Sequence, residues 1–160
     1  MGETTISGRD TLRNPKGMFM IEELARVALQ RCTTARDAIQ LMGKLVKEYG
    51  YGDSGECLTI ADPKEVWHFE IFGEGPDQIG GVWAAVRIPD DEVGVSANIS
   101  RISTLNLKDT NNYMASENVF SVARNSNCGT ARSRSSSGKP TVVRTISAKC
   151  RHSASASSLS

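Results

Sequence analysis

The sequence predicts an α+β fold in which a pair of helices covers one face of an antiparallel β-meander. Apolar residues recur at intervals of three and four over residues 18–49 and at intervals of two after residue 52. Tight-turn sequences divide the second region into short segments, as expected for strands that are joined by hairpins. Because the helical segments precede the strands instead of alternating with them, a segregated α+β arrangement is favoured.

Two amphipathic helices are predicted, the first over residues 18–31 and the second from Thr34 to Tyr49. The hydroxyl of Thr34 is placed to cap the amide of Asp37, and Gly50 provides the C-terminal stop. The apolar face of the second helix consists of Ala38, Leu41, Met42, Leu45, Val46 and Tyr49. The short connection between the two helices predicts that they lie side by side in one layer.

Four strands are predicted in the segments "ECLTIAD", "VWHFEIF", "VWAAVRIPDD" and "EVGVSANIS". The core face of the second strand consists of Trp67, Phe69 and Ile71. His68 and Glu70 point to the opposite face of the same strand. A histidine two residues from a glutamate is compatible with acid–base chemistry, but an ordinary surface or interlayer pair is the favoured interpretation.

The charge distribution divides the chain into two parts. Residues 1–124 carry 13 Lys/Arg and 18 Asp/Glu, whereas residues 125–160 carry six Lys/Arg, no acidic residue and 11 serines. This predicts a partial globular domain over 1–124, ending in a helix capped by Ser116, and a basic, serine-rich disordered tail over 125–160. The tail has no aromatic residue to stack on a base, so nucleic acid is not a favoured partner. The abrupt change of composition favours out-of-frame coding sequence over a functional tail.

The cysteines and the hydropathy pattern exclude several other classes of protein. Cys32, Cys57, Cys128 and Cys150 form no C-x-x-C pair, and the sequence contains two histidines. Neither a zinc site nor a disulfide framework is therefore expected. No apolar run approaches about 18 residues, so no membrane partner is expected. The first residues lack the pattern of a signal peptide, and the sequence leaves compartment and oligomeric state open.

Four stretches, in order along more than three-quarters of the chain, carry a resemblance to a known family. They are "GETTISGR", the helix pair "ALQRCTTARDAIQLMGKLVKEYGY", "GECLTIADPKEVWHFEIFG" and "GGVWAAVRIPDDEVGVSANISRI". Together they resemble an internal segment of the PepD-type dipeptidases. These are cysteine peptidases of the N-terminal-nucleophile hydrolase superfamily, similar to penicillin V acylase and the bile salt hydrolases.

The resemblance implies an αββα sandwich, of which the predicted meander and helix pair supply one sheet and one helix layer. It also implies a mechanism without metal or cofactor, in which an N-terminal cysteine attacks the carbonyl of a dipeptide and its own α-amino group takes the thiol proton. Asn98 is implied as the donor that holds the oxyanion or orients the substrate, and Glu3 and Thr4 are implied beside the cleft. Without the resemblance, Asn98 is a strand-end residue that satisfies turn amides.

Two departures from the family pattern affect these expectations. Gly2 follows Met1, and Cys32 and Cys57 lie inside the chain, so the nucleophile is expected upstream and the chain is expected to be an inactive fragment. Ile99 stands where the family has glutamine. Two alternatives remain open: a non-catalytic α+β binding domain with a basic arm, and a related amidase that acts on an acylated amine.

Overall fold

The computed structural model describes residues 1–126, and within this range the chain forms a five-stranded antiparallel sheet and three α-helices. The strands are β1 (Gly2–Thr5), β2 (Glu56–Ala61), β3 (Val66–Gly73), β4 (Gly81–Ile88) and β5 (Tyr113–Ala115). They lie in the order in which they occur along the chain, which makes the sheet a simple meander. The helices are α1 (Ile21–Arg31), α2 (Ala35–Tyr49) and α3 (Val119–Asn125). The predicted α+β class is confirmed.

The predicted helix pair forms, but α1 begins at Ile21 and not at residue 18, and Tyr49, predicted on the apolar face of α2, is 40% exposed. The Thr34 hydroxyl accepts a hydrogen bond of 3.1 Å from the Asp37 amide, which satisfies one of the open donors at the start of α2. At the other end, Gly50 has a φ of 81°, a conformation that favours glycine. Leu24, Met42 and Val46 from the two helices are 0% exposed and pack against the sheet. Burial of each such side chain contributes about 1.5–3 kcal/mol.

The central strand β3 is covered on both faces. Trp67, Phe69 and Ile71 are 0% exposed and belong to the core between the sheet and the helix pair. A second, smaller core lies on the other face, where the chain after β4 and helix α3 pack against the sheet. It consists mainly of Ile6, Leu12, Cys57, Phe72, Val82, Ala84, Ile102, Leu105, Val119 and Val122. Side chains on either face of β3 are therefore shielded from water.

The predicted fourth strand, "EVGVSANIS", is wrong. Residues 92–100 have no strand structure, and the place beside β4 is taken by β5, in which Tyr113 lies opposite Val86. The alternating valines of this segment have no core to face, since Val93 is 90% exposed and Val95 is 66% exposed. The predicted cap of the last helix is also wrong, because the Ser116 hydroxyl bonds the backbone of Trp83 on β4.

The first strand, β1, is not among the strands that periodicity predicts, because four residues are too few to show a two-residue pattern. It pairs with β2 as the edge strand, with Thr4 opposite Cys57. The predicted tail lies outside the described residues from position 127 onward, and the boundary at residue 124 remains a prediction. None of the helices in residues 1–126 is long and apolar enough to cross a membrane.

A pair of carboxyl groups lies where β1 meets β2. Glu56 is 3% exposed and faces the helix-pair side of the sheet, as does its cross-strand neighbour Ile71. Its burial, together with a hydrogen bond to the Glu3 carboxyl, raises the pKa of Glu56 to about 8. The folded protein therefore holds a proton on Glu56 that the unfolded chain releases near pH 4.5.

This shift predicts a stability that declines with pH. The contribution of protonated Glu56 is complete below about pH 4.5 and is lost as the pH rises through about 8. We expect the free energy of unfolding, measured by urea titration across this range, to fall less steeply in Glu56→Gln, whose side chain is neutral at every pH. The exposed loop residue Glu92 offers a matched control, since Glu92→Gln should keep the wild-type slope. Equal slopes for wild type and Glu56→Gln would contradict the prediction.

Candidate functional site

The candidate site is built around a buried carboxylate, Glu70, on the sheet face opposite the helix pair. Glu70 is 2% exposed and lies directly across from Cys57 on β2 and Ala84 on β4. Thr4 on β1 lies across from Cys57 in turn. Because residues directly opposite each other in an antiparallel sheet point to the same face, these four residues form one row across four strands.

Glu70 holds the irregular segment 96–102, which we call the 96–102 loop. One carboxylate oxygen accepts a hydrogen bond of 2.6 Å from the Ser100 hydroxyl. The other accepts from the backbone amides of Arg101 and Ile102, the latter at 3.0 Å. A carboxylate buried to this degree is stable when several donors replace its water. The loop is therefore fastened to the middle of the sheet by one side chain.

His68, two residues before Glu70 on the same face, completes the charge balance. Its Nε2 lies 3.1 Å from a Glu70 carboxylate oxygen, and its Nδ1 lies 3.4 Å from the Ser96 hydroxyl. Burial lowers the pKa of His68, but the hydrogen bonds to Cys57 and Glu70 outweigh it and raise the pKa to about 9. The imidazole is thus protonated at neutral pH and pairs with the Glu70 carboxylate.

Cys57, His68 and Glu70 have the composition of a thiol–imidazole–carboxylate triad. The Cys57 sulfur lies 3.4 Å from Nε2 of His68 and 3.4 Å from the Ser96 hydroxyl. Such contacts activate a nucleophile only where a substrate carbonyl can reach the sulfur. Cys57 is 1% exposed and lies within a β-ladder, so the thiol is closed off in this fold. The contacts fix the packing between the sheet and the loop.

Asn98 lies in the 96–102 loop and reaches the edge of the sheet. Its side-chain amide donates a hydrogen bond of 2.8 Å to the backbone oxygen of Thr5, at the end of β1. The amide carries two hydrogens, and one is used in this contact. Because Asn98 is exposed, the second hydrogen is available to a ligand. The side chain thus bonds a distant strand, whereas a strand-end asparagine would bond its own turn.

The structure brings Asn98 to the end of β1 and separates the other two predicted site residues. Thr4 is half-buried and lies on the sheet face that the 96–102 loop covers. Glu3, the preceding residue of the strand, points to the opposite face, toward the side of the sheet that holds Glu56. Asn98 and Thr4 therefore share one side of the sheet, whereas Glu3 is exposed on the other side at the same edge.

A cavity of about 600 Å³ lies beside His68. Its walls are the ends of β3 and β4, the segments 92–95 and 101–104, and the start of β5. The charged residues that line it are His68, Arg87, Glu92, Arg101 and Asp109. Within residues 1–126, no three His, Cys, Asp or Glu side chains are grouped in a way that could hold a metal ion.

Sequence reasoning missed the anchoring role of Glu70 and the cavity next to it. The position of the β3 segment between two apolar strands indicates that it is buried on both faces. A glutamate in such a strand needs several hydrogen-bond donors, and this was the signal that the sequence offered. The identity of those donors has no local signal, because Ser100, Arg101 and Ile102 lie about thirty residues further along the chain.

Known proteins that are similar to this chain carry dipeptidase names. The chain is 34% identical over 98 residues to a "Probable dipeptidase" of Latilactobacillus sakei, which covers 61% of this chain and 19% of that protein. It is 36% identical over 99 residues to a "Probable dipeptidase B" of Lactococcus lactis subsp. lactis (strain IL1403), with 61% and 19% covered. It is 34% identical over 103 residues to a "Probable dipeptidase" of Salmonella dublin, with 64% and 22% covered.

The chain spans about a fifth of the length of the curated relatives it matches. No solved structure matches it. The sequence profile of Peptidase family C69 matches residues 1–139, which includes the whole of the described fold. The ordered segments quoted from the sequence, the family profile and the names of the relatives agree, and the chain belongs to Peptidase family C69.

Proposed function

We propose that this chain forms the oxyanion-binding and substrate-binding part of a cysteine dipeptidase of the N-terminal-nucleophile type. The observation that carries the proposal is the placement of Asn98. Its amide is held at the end of β1 by the Thr5 backbone oxygen, and its loop is fastened by Glu70. A donor that is fixed before the reaction stabilises a developing negative charge without rearranging, which is the requirement for an oxyanion hole.

The proposed chemistry begins when a thiolate attacks the peptide carbonyl carbon and the carbonyl oxygen gains negative charge. The second amide hydrogen of Asn98 donates to this oxygen. The α-amino group of the nucleophile, which has taken the thiol proton, gives it to the amine as the C–N bond breaks, and water then hydrolyses the thioester and restores the thiol. Thr4 is proposed to lie beside the substrate, on the same side of the sheet as Asn98. Glu3 points to the other face of the sheet at the same edge, so it is not proposed to contact a dipeptide bound beside Asn98.

The attacking thiol is proposed to belong to a residue outside 1–126. Cys57 is buried, and burial together with Asp37 raises the pKa of Cys32, which disfavours its thiolate. Neither cysteine has the free α-amino group that the mechanism uses as base. The sheet is proposed to be one of the two sheets of an αββα sandwich, and this chain alone is proposed to be inactive.

Two tests address this proposal. Incubation of the purified chain with a dipeptide should give neither hydrolysis nor a thioester on Cys32 or Cys57, as judged by mass spectrometry. The second test uses a chimaera, in which the 98 matching residues of the Latilactobacillus sakei relative are replaced by those of this chain. We expect the chimaera to hydrolyse dipeptides at a rate comparable to its parent. A folded chimaera without activity, beside an active parent, would refute the proposed function.

Asn98 is expected to act on the chemical step. In the chimaera, Asn98→Ala should lower kcat by about 10²–10³, the range for removal of one oxyanion donor, with a smaller effect on KM. Asn98→Asp preserves the shape but removes the donor, so it should lose rate to a similar extent. Thermal unfolding of each variant separates this effect from misfolding. A kcat within about twofold of the parent for the folded Asn98→Ala variant would exclude the assignment.

Glu70 is expected to hold the loop that carries Asn98. Glu70→Gln keeps the shape but loses charge-assisted hydrogen bonds, which are worth about 1.5–3 kcal/mol, so the free energy of unfolding should fall by that order. Hydrogen exchange at the amides of Arg101 and Ile102, measured by NMR on this chain, should become faster in Glu70→Gln than in wild type. The increase should be larger than at amides of the β-ladders. The control variant Glu92→Gln should leave both quantities unchanged. Unaltered exchange at these two amides in Glu70→Gln would show that the carboxylate does not fix the loop.

A further inference from the structure

We propose that Arg101 binds the free C-terminal carboxylate of a small peptide in the cavity beside His68. The inference rests on the proposed function and deepens it, because it names the group that selects dipeptides over longer peptides. The cavity of about 600 Å³ is within the usual range of about 300–1,000 Å³ for sites that enclose small molecules. Its size therefore suits a ligand of two amino acids.

Among the charged residues that line the cavity, Arg101 is the cation available to a ligand. Arg87 is occupied, since its guanidinium lies 2.6 Å from Asp90 and 3.5 Å from Glu65. Within residues 1–126, the Arg101 guanidinium makes neither a salt bridge nor a hydrogen bond. A guanidinium fork matches a carboxylate with two parallel hydrogen bonds.

The other charges of the cavity suit a zwitterion. His68 also lines the cavity, but its positive charge is paired with the Glu70 carboxylate, so Arg101 is the cation left for the ligand. Glu92 and Asp109 are acidic, and one oxygen of Asp109 accepts a hydrogen bond of 2.9 Å from Asn112. A peptide with one ammonium and one carboxylate group meets both signs of charge here. A long peptide segment, which is neutral along its backbone, does not.

Arg101 is held in place by the same carboxylate that fastens the loop. Its backbone amide donates to Glu70, and so does the amide of the next residue, Ile102. The Cα of Arg101 is therefore fixed relative to β3, and less freedom is lost when the side chain binds a ligand. Arg101 is exposed, but its backbone amide is bonded to a buried carboxylate, unlike that of an arginine on an unattached surface segment.

Arg101 and Asn98 belong to the same fastened loop, but Asn98 reaches the β1 edge and does not line the cavity. The two residues are three positions apart, so their Cα atoms lie within about 10 Å. In a dipeptide, the carbonyl that is attacked and the terminal carboxylate are separated by a single residue. The loop that carries Asn98 thus also carries the residue that is proposed to hold the carboxylate. In a longer peptide the second group after the cleaved bond is a neutral amide, which leaves Arg101 without a partner.

The test compares L-alanyl-L-alanine with its C-terminal amide, which has the same shape and no carboxylate. Binding to the full chain is measured by NMR titration of backbone amides in residues 92–104. We expect the amide to bind about tenfold more weakly, the order of one charge-assisted hydrogen bond. Arg101→Gln should lower the affinity for the dipeptide to that for its C-terminal amide. Arg101→Lys should restore part of the preference for the dipeptide. Arg124→Gln, on α3, is the matched control and should change neither affinity.

Equal affinity of wild type for the two compounds, equal weakening of both by Arg101→Gln, or no binding of either at millimolar concentration would each overturn the proposal. The outcome is separable from that of the proposed function. If the chimaera fails to hydrolyse dipeptides while the carboxylate preference depends on Arg101, the hydrolase assignment fails and the carboxylate site stands. If the chimaera is active and the preference is absent, the reverse holds.

Discussion

The candidate site depends on the hydrogen bonds between one buried carboxylate and an irregular loop. Glu70 is almost inaccessible to water, so its charge is tolerated only because the loop amides, the Ser100 hydroxyl and the His68 imidazole surround it. The hydrogen bonds that make the buried charge of Glu70 tolerable are thus the same ones that fix the position of the loop. The 96–102 loop has no regular secondary structure, yet these bonds fix its position and that of its polar side chains.

One face of β3 packs in the core, and the other face carries the polar residues of the candidate site. On one face, Trp67, Phe69 and Ile71 are enclosed by the helix pair, and they determine the register of the strand. A shift of one residue would bring Glu70 into the apolar core, at a cost that no local hydrogen bond could offset. The apolar face therefore also specifies which side chains meet the loop.

Hydrophobic periodicity predicts the helix pair and the strands β2, β3 and β4, because each has a face buried against a continuous core. It fails over residues 92–100, where alternation occurs but both faces are open to solvent or are held by polar contacts. It also cannot find the site, because the partners of Glu70 lie far along the chain. Asn98, Glu3 and Thr4 are predicted as site residues only through the family resemblance. The structure puts Glu3 on the opposite face of the sheet from the other two, which a sequence motif does not reveal.

The contact between Asn98 and Thr5 has a consequence for the lateral growth of the sheet. Ile6 donates its amide to Gly55, so the alternation of an antiparallel ladder turns the Thr5 oxygen away from β2, to the outer margin of the sheet. Outer margins of this kind accept additional strands, from the same chain or from another molecule. Here an asparagine already occupies the acceptor, so a newcomer pairing at that point would compete with Asn98 for a single oxygen atom. A strand added at this margin would therefore have to share the Thr5 oxygen with the Asn98 amide or displace that side chain.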